Sequence, residues 1–293
     1  GEYLVLKGAE SLSLPLKKGQ SLEVWQLEGS PKLNWVTYIN DDYWFDARYS
    51  LDDFVIGNTN DFPIAMDLRE IFLKVRKLNP SFLKEPKSYE VASRIEFDIN
   101  WGFGSSSSLI ANISQWANVD PFALHFSLSK GSGYDIAAAL SDMPVLYKLL
   151  DGTPEYRNIQ YEPVFKENLY FAYLGKKRKS FEAIRSLDAS KTYIEEILEI
   201  TNITKDIVRL NNLTDFVSLL KKHDKIISGI IKENPVNEAL FYDFNGYVKS
   251  LGAWGGDFVL IATDYPSDYV ASYMKRKGIQ PFFKYDQIIK ELI

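Results

Sequence analysis

Asn100-Trp101-Gly102-Phe103-Gly104-Ser105-Ser106-Ser107-Ser108 lies between two sequence patterns of different period. Upstream, Val91, Ser93, Ile95, Phe97 and Ile99 alternate with Ala92, Arg94, Glu96 and Asp98, which predicts a strand. Downstream, Leu109, Ile113 and Trp116 recur at i, i+4 and i+7 beside Ile110 and Ala117, which predicts a helix. A small-residue loop between strand and helix aims free backbone N–H groups and the positive end of a helix dipole at one spot. Such a spot suits phosphate. Gly102 and Gly104 let the backbone approach an anion closely, and the four hydroxyls of Ser105, Ser106, Ser107 and Ser108 can add hydrogen bonds or a magnesium ligand. A flexible turn with a serine cap is the plainer reading of the same residues.

The 293 residues suffice for one large or two medium domains with a substantial core, and 46% hydrophobic with 25% charged residues is a globular composition. A formal charge of −5 argues against general nucleic-acid binding, which needs a basic face. With no cysteine, disulfides, thiolate metal sites and cysteine nucleophiles are excluded, and a reducing, cytoplasmic setting fits. The apolar run Phe258–Ala262 is strand-sized, far short of a membrane span, and no signal-peptide pattern opens the chain. The sequence starts at Gly1, without methionine and already strand-like, so an upstream piece is expected.

Five short runs predict strands in the first sixty residues: Tyr3 to Leu6, Leu12 to Leu16, Leu22 to Leu27, Leu33 to Ile39 and Tyr43 to Tyr49. Ala65 to Leu78 predicts an amphipathic helix ending before Asn79-Pro80. Asp120-Pro121 starts another helix, Lys130-Gly131-Ser132-Gly133 breaks it, and Tyr134 to Leu140 forms the next. Turn-rich residues 150–163 suggest a domain boundary. Beyond it, Val164 to Leu174 predicts a strand and Lys176 to Lys179 a basic loop. Helices are then expected over Ser180 to Ile200, Ile203 to Leu210, Leu213 to Lys232 and Asn237 to Asn245. Strand Phe258 to Thr263, helix Ser267 to Lys277 and strand Gln280 to Tyr285 close the chain. The β-rich opening argues for α+β rather than a doubly wound sheet.

Three separated segments carry a family resemblance. Gly1-Glu2-Tyr3-Leu4-Val5-Leu6-Lys7-Gly8-Ala9 resembles the first motif of the GHMP kinase superfamily, which includes galactokinase, homoserine kinase, mevalonate kinase and phosphomevalonate kinase. Gly102-Phe103-Gly104-Ser105-Ser106-Ser107 resembles its Gly-Leu-Gly-Ser-Ser-Ala phosphate loop. Gly252-Ala253-Trp254-Gly255-Gly256-Asp257 resembles its glycine-rich third motif. Lys130 to Ala139, with Gly133-Tyr134-Asp135-Ile136-Ala137, resembles phosphomevalonate and mevalonate kinases in particular, including a bacterial Gly-Tyr-Asp-Ile-Ala subgroup.

The resemblance implies the GHMP kinase fold, with an N-terminal half like ribosomal protein S5 domain 2 (1–155) and a ferredoxin-like C-terminal half (156–293). It further implies that the alternation in Leu12 to Leu27 and the loop at Gly102 share one sheet-and-helix layer. ATP and Mg2+ are the implied cofactors. Asp135, after two glycines at a helix start, matches the catalytic aspartate, which accepts or orients the acceptor's hydroxyl proton. A simple first-turn acid is the alternative from position alone. Ser106 matches the serine that helps hold magnesium and ATP. Gly102, Phe103, Gly104, Ser105, Ser107 and Ser108 would supply amides or hydroxyls to the triphosphate. Glu2, Tyr3, Ser132, Gly133, Gly252 and Ala253 match positions near the acceptor. His125, among Phe122, Leu124 and Phe126, reads as a core histidine, and His223 as part of a solvated face. The run Lys176-Lys177-Arg178-Lys179 reads as an exposed turn or as a site for an anionic acceptor.

The chain departs from the family at three places, and a fourth family position lies before Gly1. Asn100 stands where phosphomevalonate kinases carry a lysine, and Leu124-His125-Phe126 where mevalonate kinases carry a magnesium-binding glutamate. Trp254 replaces a glycine, where it would narrow the cleft, and the first-strand lysine would precede Gly1. The resemblance implies a kinase acting on 5-phosphomevalonate or mevalonate, a monomer or homodimer with no nucleic-acid or membrane partner. A sugar or homoserine kinase, or a non-catalytic homologue that binds nucleotide, are the alternatives.

Overall fold

The computed structural model describes residues 1, 3–175, 191–252, 254 and 256–292. They form two compact units, each assembled from separate stretches of chain. One comprises residues 18–99 and 103–140, the other 1–17, 100–102 and 141–293.

The first unit is built on strands β2 (Gln20–Leu27), β3 (Lys32–Ile39), β4 (Asp42–Tyr49), β5 (Ile56–Thr59) and β6 (Ser88–Ile95), in the order β2-β6-β3-β4-β5. β3 and β6 run parallel and the other neighbours antiparallel. Leu33, Trp35 and Thr37 of β3, with Phe45, Ala47 and Tyr49 of β4, are buried at every second residue, as a sheet with one covered face requires. Helix α1 (Phe62–Leu78) buries Ala65, Leu68, Phe72 and Val75. Phe72 is the hub of this core, its ring 5.2–5.8 Å from those of Phe54, Tyr49 and Trp35. The Asp61 carboxylate caps α1 by accepting from the Ile64 amide, and Pro80 keeps Asn79 extended, which ends it. Helices α2 (Ser105–Ala117), α3 (Pro121–Leu128) and α4 (Tyr134–Ala139) complete the unit, with α2 packing on α3, α4 and β2.

The second unit holds two sheets. Strand β1 (Ser11–Ser13) pairs with β7 (Val145–Leu150), which pairs with β8 (Thr153–Asn158). The other sheet has the order β10-β11-β9-β12, from Tyr247–Ser250, Phe258–Ala262, Leu169–Tyr173 and Phe282–Lys284, all antiparallel. Helices α5 (Ile194–Ile207) and α6 (Leu213–Ile231) pack on each other, and α7 (Val236–Leu240), α8 (Ser267–Arg276) and α9 (Tyr285–Ile288) follow.

Several sequence expectations need correction. Tyr3 to Leu6 is no strand: Leu4–Lys7 is a 3₁₀ turn closed by Gly8 at φ +98°. Leu4 and Val5 are adjacent and both buried, a demand that a helical turn meets and an alternating strand does not. The predicted strand through Ile99 stops at Ile95, and Ile99–Trp101 is a 3₁₀ turn. Leu12 sits in the sheet of β1, β7 and β8, so Leu12 to Leu27 does not form one layer with the loop; only β2 packs beside α2. Asp151-Gly152, taken for boundary sequence, is the turn of the β7–β8 hairpin, with both residues at positive φ. The helices expected over Ser180 to Ile200 and Ile203 to Leu210 are, from Ile194, one continuous helix to Ile207. Positions 180–190 of the first lie outside the described residues. Asn237 to Asn245 is helical only to Leu240, and Tyr247–Ser250 is a strand that carried no sequence signal.

Candidate active site

The loop at Gly102 is held at two ends by different means. Trp101 packs edge-on against Phe258 and Phe283, with centroids 6.0 and 5.6 Å away. The Asp257 carboxylate lies against Gly102, where a Cβ would sit 2.5 Å from Oδ2. Gly102 also has φ +71°, so both space and backbone conformation require glycine there. At the far end, the Phe103 ring meets Phe97 at 5.6 Å.

Gly104 is the N-cap of α2 at φ +82°, with no side-chain capping bond and open space where a Cβ would point. The first amide bonded within this turn is that of Ser108, which donates to the Gly104 carbonyl at 2.9 Å. Ser106 is exposed. The Ser108 hydroxyl is engaged in the fold: it donates to Gln20 Oε1 at 2.8 Å and lies within bonding reach of the Gly104 and Ser105 carbonyls. One turn on, Asn112 donates to the Gln20 carbonyl at 2.8 Å, which fixes α2 on β2. The start of α2 thus offers amides and the hydroxyls of Ser105, Ser106 and Ser107, while Ser108 secures the helix.

Asp135 belongs to the same unit, in the first turn of α4, a helix that packs on α2 and α3. Gly133, at φ +83°, is its N-cap, again without a side-chain capping bond. Water reaches the Asp135 side chain, yet the protein around it weakens its hydration. This desolvation raises the carboxyl pKa to about 6, and a hydrogen bond from Tyr134 pulls against the rise. A carboxyl tuned so close to neutrality is suited to exchanging a proton.

Ser132 and Gly133 are buried beside this turn. Tyr3 is buried among Leu4, Ile200, Ile227 and Trp254, and its hydroxyl accepts the Trp254 amide at 2.7 Å. The first- and third-motif segments are therefore joined directly. Trp254 is itself 2% exposed and donates from its indole to the Asn234 carbonyl at 3.0 Å. Its ring fills the core beside α5 and α6, so the expected narrowing of a cleft is not its role. Gly252 is exposed at φ +68°. Glu2, Ala253, Gly255 and the run Lys176 to Lys179 lie outside the described residues.

His223, expected on a solvated face, is buried with Asp224, Lys249 and Tyr247. Asp224 accepts from Lys249 Nζ at 3.1 Å and from the Tyr247 hydroxyl at 2.8 Å, a pairing of distant residues that spacing alone does not announce. Among the described residues, no three His, Asp or Glu side chains gather as a metal cage. Magnesium commonly keeps several waters and takes one or two protein ligands plus phosphate oxygens, so an exposed Ser106 hydroxyl fits that mode. No helix among the described residues is long and apolar enough to cross a membrane.

Solved structures share this architecture over nearly the whole chain. The mevalonate kinase of Methanococcus jannaschii aligns with a TM-score of 0.68 at 16% identity, covering 100% of this chain and 95% of that one. Streptococcus pneumoniae phosphomevalonate kinase, solved with phosphomevalonate and AMPPNP, gives 0.68 at 13%, with 96% and 94% covered. Lactococcus lactis galactokinase, solved with galactose, gives 0.63 at 14%, with 99% and 92% covered. No family model matches the chain, and no curated protein matches it in sequence. The chain has the α+β GHMP kinase fold.

Proposed function

We propose that this protein is an ATP- and magnesium-dependent kinase of the GHMP type, transferring the γ-phosphate to a small hydroxylated acceptor. The observation that carries this reading is the pair of packed helices α2 and α4. One offers uncapped amides and serine hydroxyls, and the other a carboxyl raised to about 6. Residues 102–108 would receive the triphosphate, with backbone amides and the Ser105–Ser107 hydroxyls as donors. A bound magnesium ion would neutralise charge on the β- and γ-phosphate oxygens, with Ser106 its protein ligand. Asp135 would orient the acceptor hydroxyl and take its proton. The new O–P bond forms as the bond from the γ-phosphorus to the β,γ-bridging oxygen breaks, and ADP leaves. Positioning and electrostatics supply the rate, with no phosphoenzyme.

The acceptor we favour is 5-phosphomevalonate, then mevalonate. Lys130 to Ala139 resembles those kinases, and the fold is shared with a phosphomevalonate kinase. Ser132 and Gly133, at the turn that carries Asp135, are proposed to lie toward it. We further propose a cytoplasmic monomer or homodimer. Asn100 and the Leu124-His125-Phe126 stretch, which lack the family's charged groups, favour a second reading: a nucleotide-binding homologue without turnover.

ATP consumption by purified protein with mevalonate, 5-phosphomevalonate, galactose and homoserine in turn decides between the readings. Turnover with one of the first two is expected. Nucleotide binding without turnover on any acceptor establishes the second reading instead.

A further inference from the structure

The turn that carries Asp135 is rich in glycine and therefore intrinsically loose. Gly131 and Gly133 flank Ser132, and a glycine's backbone visits conformations closed to other residues, so the start of a six-residue helix behind them is poorly fixed by its own sequence. Something outside the turn must hold it. Helix α3 and its C-terminal cap do so. His125, buried on α3, brings Nε2 to 3.4 Å from the Gly131 carbonyl, while the Ser129 hydroxyl accepts the Gly131 amide at 3.0 Å. Both faces of the Gly131 residue are thereby gripped. The stem of the turn is held separately by the backbone, the Ser129 amide donating to the carbonyl of residue 125 at 2.8 Å. The fit is close: a Cβ on Gly131 would stand 3.4 Å from Nε2 and 3.3 Å from the Ser129 oxygen. From there the chain runs to the Gly133 carbonyl, which accepts the Ile136 and Ala137 amides and sets the first turn of α4.

We propose that His125 is a positioning residue for Asp135, acting through an Nε2–H···O=C bond to Gly131 that fixes where the carboxyl stands. This role rests on the kinase reading above only for its kinetic consequence; the structural hold is separate from it. The imidazole is the tautomer protonated on Nε2 and stays neutral, because burial lowers its pKa despite the Gly131 carbonyl.

Three variants of the full chain test the bond. His125→Phe keeps an aromatic ring without a donor, His125→Gln carries an amide N–H of similar reach, and His125→Asn is polar but too short. In steady-state kinetics, Phe and Asn are expected to lower kcat about tenfold or more while KM for ATP stays within about twofold, since misplacing one reacting group slows chemistry without loosening the nucleotide. Gln should recover most of kcat. Hydrogen exchange should show the 133–140 amides less protected in Phe and Asn and restored in Gln. Undiminished kcat in Phe or Asn, Gln no better than Phe, or equal protection in all variants each overturns the proposal. If Phe fails to fold, Asn against Gln decides it. If the wild-type chain transfers no phosphate, the kinase reading fails, and exchange alone decides whether His125 holds the turn.

Discussion

Helices α2 and α4 begin in the same way and are equipped oppositely. Each is entered through a glycine with φ just above +80° and no side-chain cap, and each packs on the other. The 13-residue α2 presents serines and no acidic residue in its first turn, so its dipole and amides are left to an outside anion. The six-residue α4 places Asp135 there instead, and the same backbone device meets an anion of its own. In the proposed kinase, one backbone conformation would thus serve a binding end and a chemical end, with the choice made by a single side chain.

The largest expected break in this contrast is Asp135→Ala, which should lower kcat about 10²–10⁴-fold, the range general-base groups supply. ATP affinity, measured by titration calorimetry, should stay within a few-fold because α2 is untouched. Retention of most activity would refute the assigned role. Next comes Ser106→Ala, which should weaken metal–nucleotide binding and rate about tenfold, the scale of one hydrogen bond to a charged group. Acid then sharpens the comparison: with its pKa near 6, Asp135 should become protonated as pH falls through 6, and kcat should drop with it. An activity profile flat from pH 7 to 5 would contradict this.

Stability carries a sign of its own. A carboxyl whose folded pKa lies above its unfolded value disfavours the folded state when ionised, so the cost is complete above about 6 and absent below the ordinary carboxylate range. Asp135→Asn should therefore raise Tm at pH 7.5, with the gain vanishing by about pH 3.5. The smallest effect separates the two loop glycines. Gly104→Ala incurs only left-handed strain, about 1–2 kcal/mol, whereas Gly102→Ala adds a collision with Asp257 and should destabilise more. Equal losses in denaturant unfolding would mean that the carboxylate moves freely aside.

The Gly/Ser loop, α1, α3 and α6 were legible in sequence because their caps, proline positions and 3.6-residue periods agree. Tyr3 to Leu6 was not, since four apolar residues in a row have no period and satisfy strand and turn alike. Asp151-Gly152 has the signature of a hairpin turn, but the strands it joins are short, and β8 is mostly exposed and carries little apolar pattern. Asp135 and Ser106 stand out only through the motif resemblance, since position alone reads as a first-turn acid and a helix cap. The resting place of Trp254 beside Tyr3, 251 positions earlier, depends on tertiary packing that no local pattern encodes. His125 was legible as a buried residue, while its partner Gly131 emerged only with the curvature of the turn.

The seat of Trp101 on Phe258 and Phe283 has a practical consequence for dissecting this molecule. The polypeptide changes compact unit four times, and residues 100–102 of the Gly/Ser loop segment fall in the same unit as the partners of that indole. A gene fragment spanning 18–140 would encode one whole sheet and its helices, yet it would leave out Phe258 and Phe283, on which Trp101 packs. Because each unit is assembled from separate stretches, neither can be cut out as one continuous segment.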